Sequence, residues 1–192
     1  MRLVALCALL AAAARFASAE GVTIVLDFQG PRSEGSVEEM KREFQGIMKD
    51  SSIHFDWKTR AEAEGTSTEN LVVVRFKGTC VVKPVPYLID ERGPLAFTYS
   101  TEGEVQPFSE VKCDQVVRAL RSVMTGADFA KADLLMGRAL GRVMAHEVVH
   151  MLTKSGAHGR EGVAKTALSG SQLIAPELRL DASDLERLRT DH

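Results

Sequence analysis

His146-Glu147-Val148-Val149-His150 is the segment of this 192-residue chain whose residue types and spacing define a chemistry. On a helix, positions i and i+4 share a face, so both imidazoles reach one metal ion. Glu147 is rotated by about 100° and lies beside that ion rather than on it. There its carboxylate can act as general base on a zinc-bound water, because Zn2+ lowers the pKa of such a water to about 7. With 5 histidines in the chain, the pattern H-E-x-x-H arises by chance about 0.01 times. The competing reading is a pair of histidines satisfied by hydrogen bonds in a core.

A catalytic zinc needs a third protein ligand and an open fourth position. His158 lies eight residues past His150, in Ser155-Gly156-Ala157-His158-Gly159, and is the expected third ligand. The glycines let the chain turn back from the helix end. Glu161, Glu177 and Asp184 are the other candidates. His54 and His192 have no partners in sequence and read as surface residues.

The element that must carry this motif runs from about Phe129 to Leu152, free of proline and apolar on most sides, as a core helix is. Ahead of it, 22–28 reads as a buried strand stopped by Gly30-Pro31. A helix follows, with Ser36 and Glu39 as a capping box and Val37, Met40, Phe44 and Ile47 on one face. Residues 53–57 read as a short strand, 58–70 as a polar loop and 71–76 as a second apolar strand. Pro84 and Pro86 exclude a central strand there. Residues 95–100 and 104–108, joined by Thr101-Glu102-Gly103, read as a hairpin. Residues 113–124 read as a helix broken at Gly126. The chain closes with a Gly-punctuated loop and a short helix from Asp184, capped by Ser183 with Glu186. This order predicts one mixed α/β or α+β domain.

The chain is 45% hydrophobic and 26% charged, which excludes a disordered or low-complexity protein. Its formal charge of −2 leaves no basic surplus for phosphates, so nucleic acid is excluded as an expected partner. Arg2, the apolar run 3–14 and Ala17-Ser18-Ala19 read as a signal peptide over 1–19, too short to span a bilayer. The mature domain is then 20–192, exported to a periplasmic or extracellular space, with no integral membrane segment and monomeric. Losing Arg2 and Arg15 moves its formal charge from −2 to −4. Of its cysteines, Cys80 and Cys113 are expected to form a disulfide, stabilising by about 3–4 kcal/mol through loop closure.

The motif resembles that of the zincin metallopeptidases, and among them the metzincins, with HExxHxxGxxH and a methionine-containing turn. Thr153 occupies the metzincin glycine position, Gly156 the third-histidine position, and the histidine comes two residues later at His158. That spacing is similar to a group of small exported bacterial metzincin-like proteins, whose HExxH is followed by seven residues, a histidine, and a glycine–aliphatic–methionine turn. Gly162-Val163-Ala164 lies where that turn falls, with Ala164 in place of methionine. The likeness extends to the opening strand and helix, to Pro107-Phe108-Ser109-Glu110-Val111 before Cys113, and to 180–188.

The resemblance implies a zincin-like fold: a small twisted, mostly parallel sheet with an edge hairpin, packed on a long active-site helix and a short C-terminal helix. It implies a zinc metalloendopeptidase acting on peptide or protein substrates, with Zn2+ on His146, His150 and His158 and Glu147 as catalytic base. An extended peptide would pair with an edge strand, for which the 95–108 hairpin is the candidate. Tyr99 and Arg160 are candidates for stabilising an oxyanion. The alternatives are a non-catalytic zinc-binding scaffold or sensor, and a metal-free binding domain.

Overall fold

The computed structural model describes residues 21–65, 70–84 and 93–190. The expected signal peptide, Pro86 and His192 lie outside them. β1 (Gly21–Phe28), β2 (His54–Thr59), β3 (Leu71–Lys77), β4 (Ala96–Thr101) and β5 (Glu104–Lys112) form one sheet in the order β2-β1-β3-β5-β4. β1 runs parallel to both neighbours, β3 parallel to β5, and only β4 is antiparallel, at an edge. The fold is therefore mixed α/β with a mostly parallel sheet. β1 is flanked on both sides, and its Val22, Ile24, Val25 and Leu26 are all buried, as continuous apolar strands of parallel sheets are.

The hairpin turns through Glu102 and Gly103 alone, at φ 55° and 86°, the positive values of the two-residue turn that suits strand twist. β5 continues four residues beyond the expected end and delivers Cys113 directly into α3 (Cys113–Arg121). Cys113 is bonded to Cys80, with their Cα atoms 4.8 Å apart, so the bridge encloses the whole hairpin.

α1 (Glu34–Met48) starts earlier than the sequence pattern indicates. Ser33, not Ser36, is its cap: the Ser33 side chain accepts from the Ser36 amide at 3.0 Å, while the Ser36 hydroxyl donates back to the Ser33 carbonyl. Glu39 is instead buried and paired with Arg42. The expected loop after residue 58 contains the end of β2 and a one-turn helix, α2 (Arg60–Ala63), closed by a Thr59–Glu62 capping box.

α4 (Ala132–Leu152) is the axle of the molecule. It packs on α1, on α3, on β4 and β5, and on α5 (Gly170–Ile174), and from Leu135 onwards only Arg138 and His146 are not buried. Its approach to α1 is set by glycine. A Cβ on Gly137 would lie 2.5 Å from the Ser36 carbonyl oxygen, and one on Gly141 2.7 Å from that of Met40.

Arg142, with no exposed side-chain surface, fixes α4 on another side. It bonds Glu43 of α1 at 2.7 Å and the carbonyls of Gln172 and Ala175. The chain ends in α6 (Ala182–Thr190), capped by Asp181, which accepts from both the Asp184 amide and the Ser183 hydroxyl. Ser183 is thus drawn into the cap of a helix that begins two residues before the expected start. Among the described residues no helix is long and apolar enough to cross a membrane.

The two kinds of helical glycine give opposite expectations. Gly141→Ala forces α1 from α4 and should lower stability by about 1–3 kcal/mol. Gly46→Ala, on an exposed turn of α1 with nothing within 4 Å, should raise it by about 0.5–1 kcal/mol. Urea midpoints of the two variants check both signs.

Candidate metal centre and the carboxylate beside it

The C-terminal half of α4 places His146 and His150 on one stripe, with ring centroids 4.7 Å apart. Each ring is oriented by a backbone carbonyl. His146 Nδ1 lies 2.9 Å from the Val163 oxygen and His150 Nδ1 2.7 Å from the Ser155 oxygen. A carbonyl only accepts, so each Nδ1 carries the proton and each Nε2 presents a lone pair. The two Nε2 atoms face one another at 3.1 Å.

Burial holds the pKa of His146 down to about 4, against the pull of the Val163 carbonyl, and burial likewise lowers that of His150. At neutral pH both rings are neutral, and two lone pairs at this separation repel unless a cation lies between them. Two imidazoles sharing one tetrahedral zinc are expected about 3.3 Å apart, so the donor set fits that ion.

The loop after α4 returns the third imidazole. Lys154 takes φ 46°, ending the helix, and the Ser155 amide bonds back to the His150 carbonyl. The Gly159 amide then bonds the Ala164 carbonyl at 2.8 Å, and the Val163 amide the Arg179 carbonyl at 2.9 Å. Gly162, at φ 70°, passes so close to Arg179 that a Cβ would lie 2.3 Å from its oxygen. His158 thereby stands 5.2 and 4.8 Å, ring to ring, from His146 and His150. One ligand atom from each of the three lies within 4.8 Å of the others, and the His158 side is exposed.

The other residues considered as ligands stand outside this cluster. Glu161 and Glu177 are exposed, and Glu177 pairs with Arg179. Asp184 is fully buried and paired with Arg187, backing the loop at Gly159. His54 is exposed beside Asp56. Tyr99 packs between the rings of Phe97 and Phe108, and Arg160 is exposed.

Glu147 is 4% exposed and faces β4. The Thr98 hydroxyl donates to its Oε2 at 2.6 Å. Burial pushes the Glu147 carboxyl up to about 7, and the Thr98 bond pulls it partly back. Thr98 escaped the sequence reading because the contact joins residues 49 apart. The two carbonyls escaped it because any residue supplies one. Arg142 did leave a signal: a charge within an apolar helix, four residues before His146.

Next to His146 and Glu147 opens a cavity of about 620 Å³. Its walls are the start of β4, the face of α3 that carries Gln115 and Arg118, and the chain from Thr166 to Gly170.

The opposed shifts make a pH prediction for chelator-treated protein. Glu147, raised above its ordinary 4.5, adds stability that is complete below that pH and is lost as pH rises to about 7. His146, lowered from 6.5 to about 4, adds stability that is complete above 6.5 and is lost as pH falls through 4. Glu147→Gln removes only the first. Its stability relative to the parent protein should therefore increase by about 2 kcal/mol as pH rises from 4.5 to 7, read from urea midpoints. A constant difference would contradict it.

No protein-family model matches the chain, and no curated protein matches it.

Proposed function

We propose that this protein is an exported zinc-dependent metallopeptidase of zincin-like, metzincin-like fold. The observation that carries the reading is the pair of Nε2 atoms facing each other at 3.1 Å, each ring fixed by a carbonyl on its Nδ1. His146, His150 and His158 hold the ion. When bound, zinc polarises a scissile carbonyl and acidifies water.

The chain's own residues do the rest. Glu147 takes a proton from the attacking water and passes it to the leaving amine, and its burial strengthens the carboxylate's hold on that proton between the two transfers. Thr98 fixes Oε2, so the carboxylate presents Oε1 in one orientation. A substrate in extended form adds to β4, the edge strand among the described residues, which brings it past Thr98 and into the cavity beside Glu147. The bonded Cys80–Cys113 pair fits an oxidising, exported environment, whether periplasmic or extracellular. Ala164 in place of the turn methionine is compatible with this reading, because the turn reaches His146 through the Val163 carbonyl, a main-chain atom.

A second reading, a non-catalytic zinc-binding scaffold or sensor, takes its support from the same Glu147–Thr98 bond, which can serve as a structural link between α4 and β4.

Elemental mass spectrometry of the purified 20–192 protein should find about one zinc per chain, lost in His150→Ala. Peptide-library cleavage should occur with the parent protein and fall by a factor of at least about 100 in Glu147→Gln with zinc retained. Zinc without Glu147-dependent cleavage would select the second reading. Absence of zinc even in excess metal would remove both. Thr98→Val should lower kcat about tenfold with KM nearly unchanged, since Thr98 positions the base and not the substrate.

A further inference from the structure

The cavity beside Glu147 has a polarity of its own. Its volume, about 620 Å³, lies within the range of small-ligand pockets. Leu95, Ala96, Val143 and Leu168 give it apolar walls, and among the described residues Glu147 is the only acid lining it and Arg118 the only lysine or arginine.

Arg118 is half-buried on α3, and its Nε donates to Gln115 Oε1, one turn earlier, at 3.3 Å. Among the described residues it has no ion pair, and neither Nη1 nor Nη2 has a protein acceptor. The wall that carries it is firmly built. α3 is tied to the segment that follows β3 through the Cys80–Cys113 bridge, and α5 starts so close to it that a Cβ on Gly170 would lie 2.3 Å from the Ala119 carbonyl oxygen.

A guanidinium with an open fork fits a carboxylate through two parallel hydrogen bonds. An apolar side chain filling the cavity would expel water and strand the two Nη groups, at a desolvation cost that offsets its own burial. A carboxylate bound close to Glu147 would be repelled, so the acid belongs at the α3 end, away from the base.

We propose that this cavity is a side-chain pocket for a carboxylate, that Arg118 is its specificity-determining residue, and that the preferred substrates are peptides with Asp or Glu next to the bond that is cut. Only the last clause rests on the hydrolase reading.

The test uses the zinc-supplemented Glu147→Gln protein, which binds without cutting on that reading. Its probes are fluorescein-labelled hexapeptides differing at one position as Glu, Gln, Leu or Lys. Fluorescence polarisation should rank Glu over Gln by about tenfold to hundredfold, the worth of a charge-assisted hydrogen-bond pair. Arg118→Leu should bring that ratio to about one, Arg118→Lys should keep part of it, and Arg118→Glu should turn the preference to Lys. No measurable binding, equal binding of Glu and Gln, or a Glu preference that survives Arg118→Leu would each overturn the assignment.

The parent protein given the same peptides separates the two claims. Cleavage in the same order upholds both. A Glu preference in binding with no cleavage upholds the pocket and removes the hydrolase. Cleavage indifferent to Glu, with equal binding of Glu and Gln, overturns the pocket and keeps the hydrolase; with the binding preference intact it overturns the last clause alone.

Discussion

A helix with almost no solvent-facing side has to be satisfied all round at once, and α4 is such a helix. One side accepts α1 only because Gly137 and Gly141 present no side chain there. Another carries Arg142, a buried charge that three groups on two different segments must satisfy. A buried guanidinium left without partners is among the most unfavourable arrangements a core can hold. Rotating α4 by one residue would swing Arg142 about 100° away from them. The helix is therefore locked in rotation as well as position, and residues 142, 146 and 150 form one i, i+4 stripe. The arginine at its base helps to fix the face of α4 from which both imidazoles project, and the Val163 and Ser155 carbonyls then orient the rings.

The candidate centre is then assembled with little side-chain help. Two carbonyls select the tautomers, the loop between them returns the third imidazole, and burial keeps the rings of His146 and His150 uncharged. The same burial keeps Glu147 close to neutrality in pH terms, with one hydroxyl of the edge strand as its counterweight. Donors, base and strand edge thus come from three pieces of chain that meet only because the sheet is laid against α4.

What was legible in the sequence follows from this division. The apolar strands, the hairpin and the length of α4 are written in local periodicity, and so is the pairing of two imidazoles one turn apart. The bonded cysteines were legible from their number together with the expected export. The cap of α1 lies at Ser33 because Ser33 and Ser36 are alternative N-caps three residues apart, and Ser33 takes the Ser36 amide while Ser36 is already inside the helix. The start of α6 was misread because Asp181, not Ser183, collects the free amide at that end. α5 has only five residues and too little periodicity to register. Thr98 and Arg118 are ordinary residues in sequence, and the fold alone brings them beside Glu147 or its cavity.

The acceptors on His146 and His150 are main-chain oxygens, and that bears on how such a protein can change over generations. A carboxylate in their place would be lost by a single codon change. The Val163 and Ser155 carbonyls survive any substitution that leaves the path of the chain intact. Most side chains along 155–163 are thus free to drift while the imidazoles of His146 and His150 keep their tautomers; the exceptions are His158, the third donor, and Gly162, whose φ and contact with Arg179 leave no room for a replacement. In such a lineage a centre of this kind would outlast the recognisable signature of the loop that supports it.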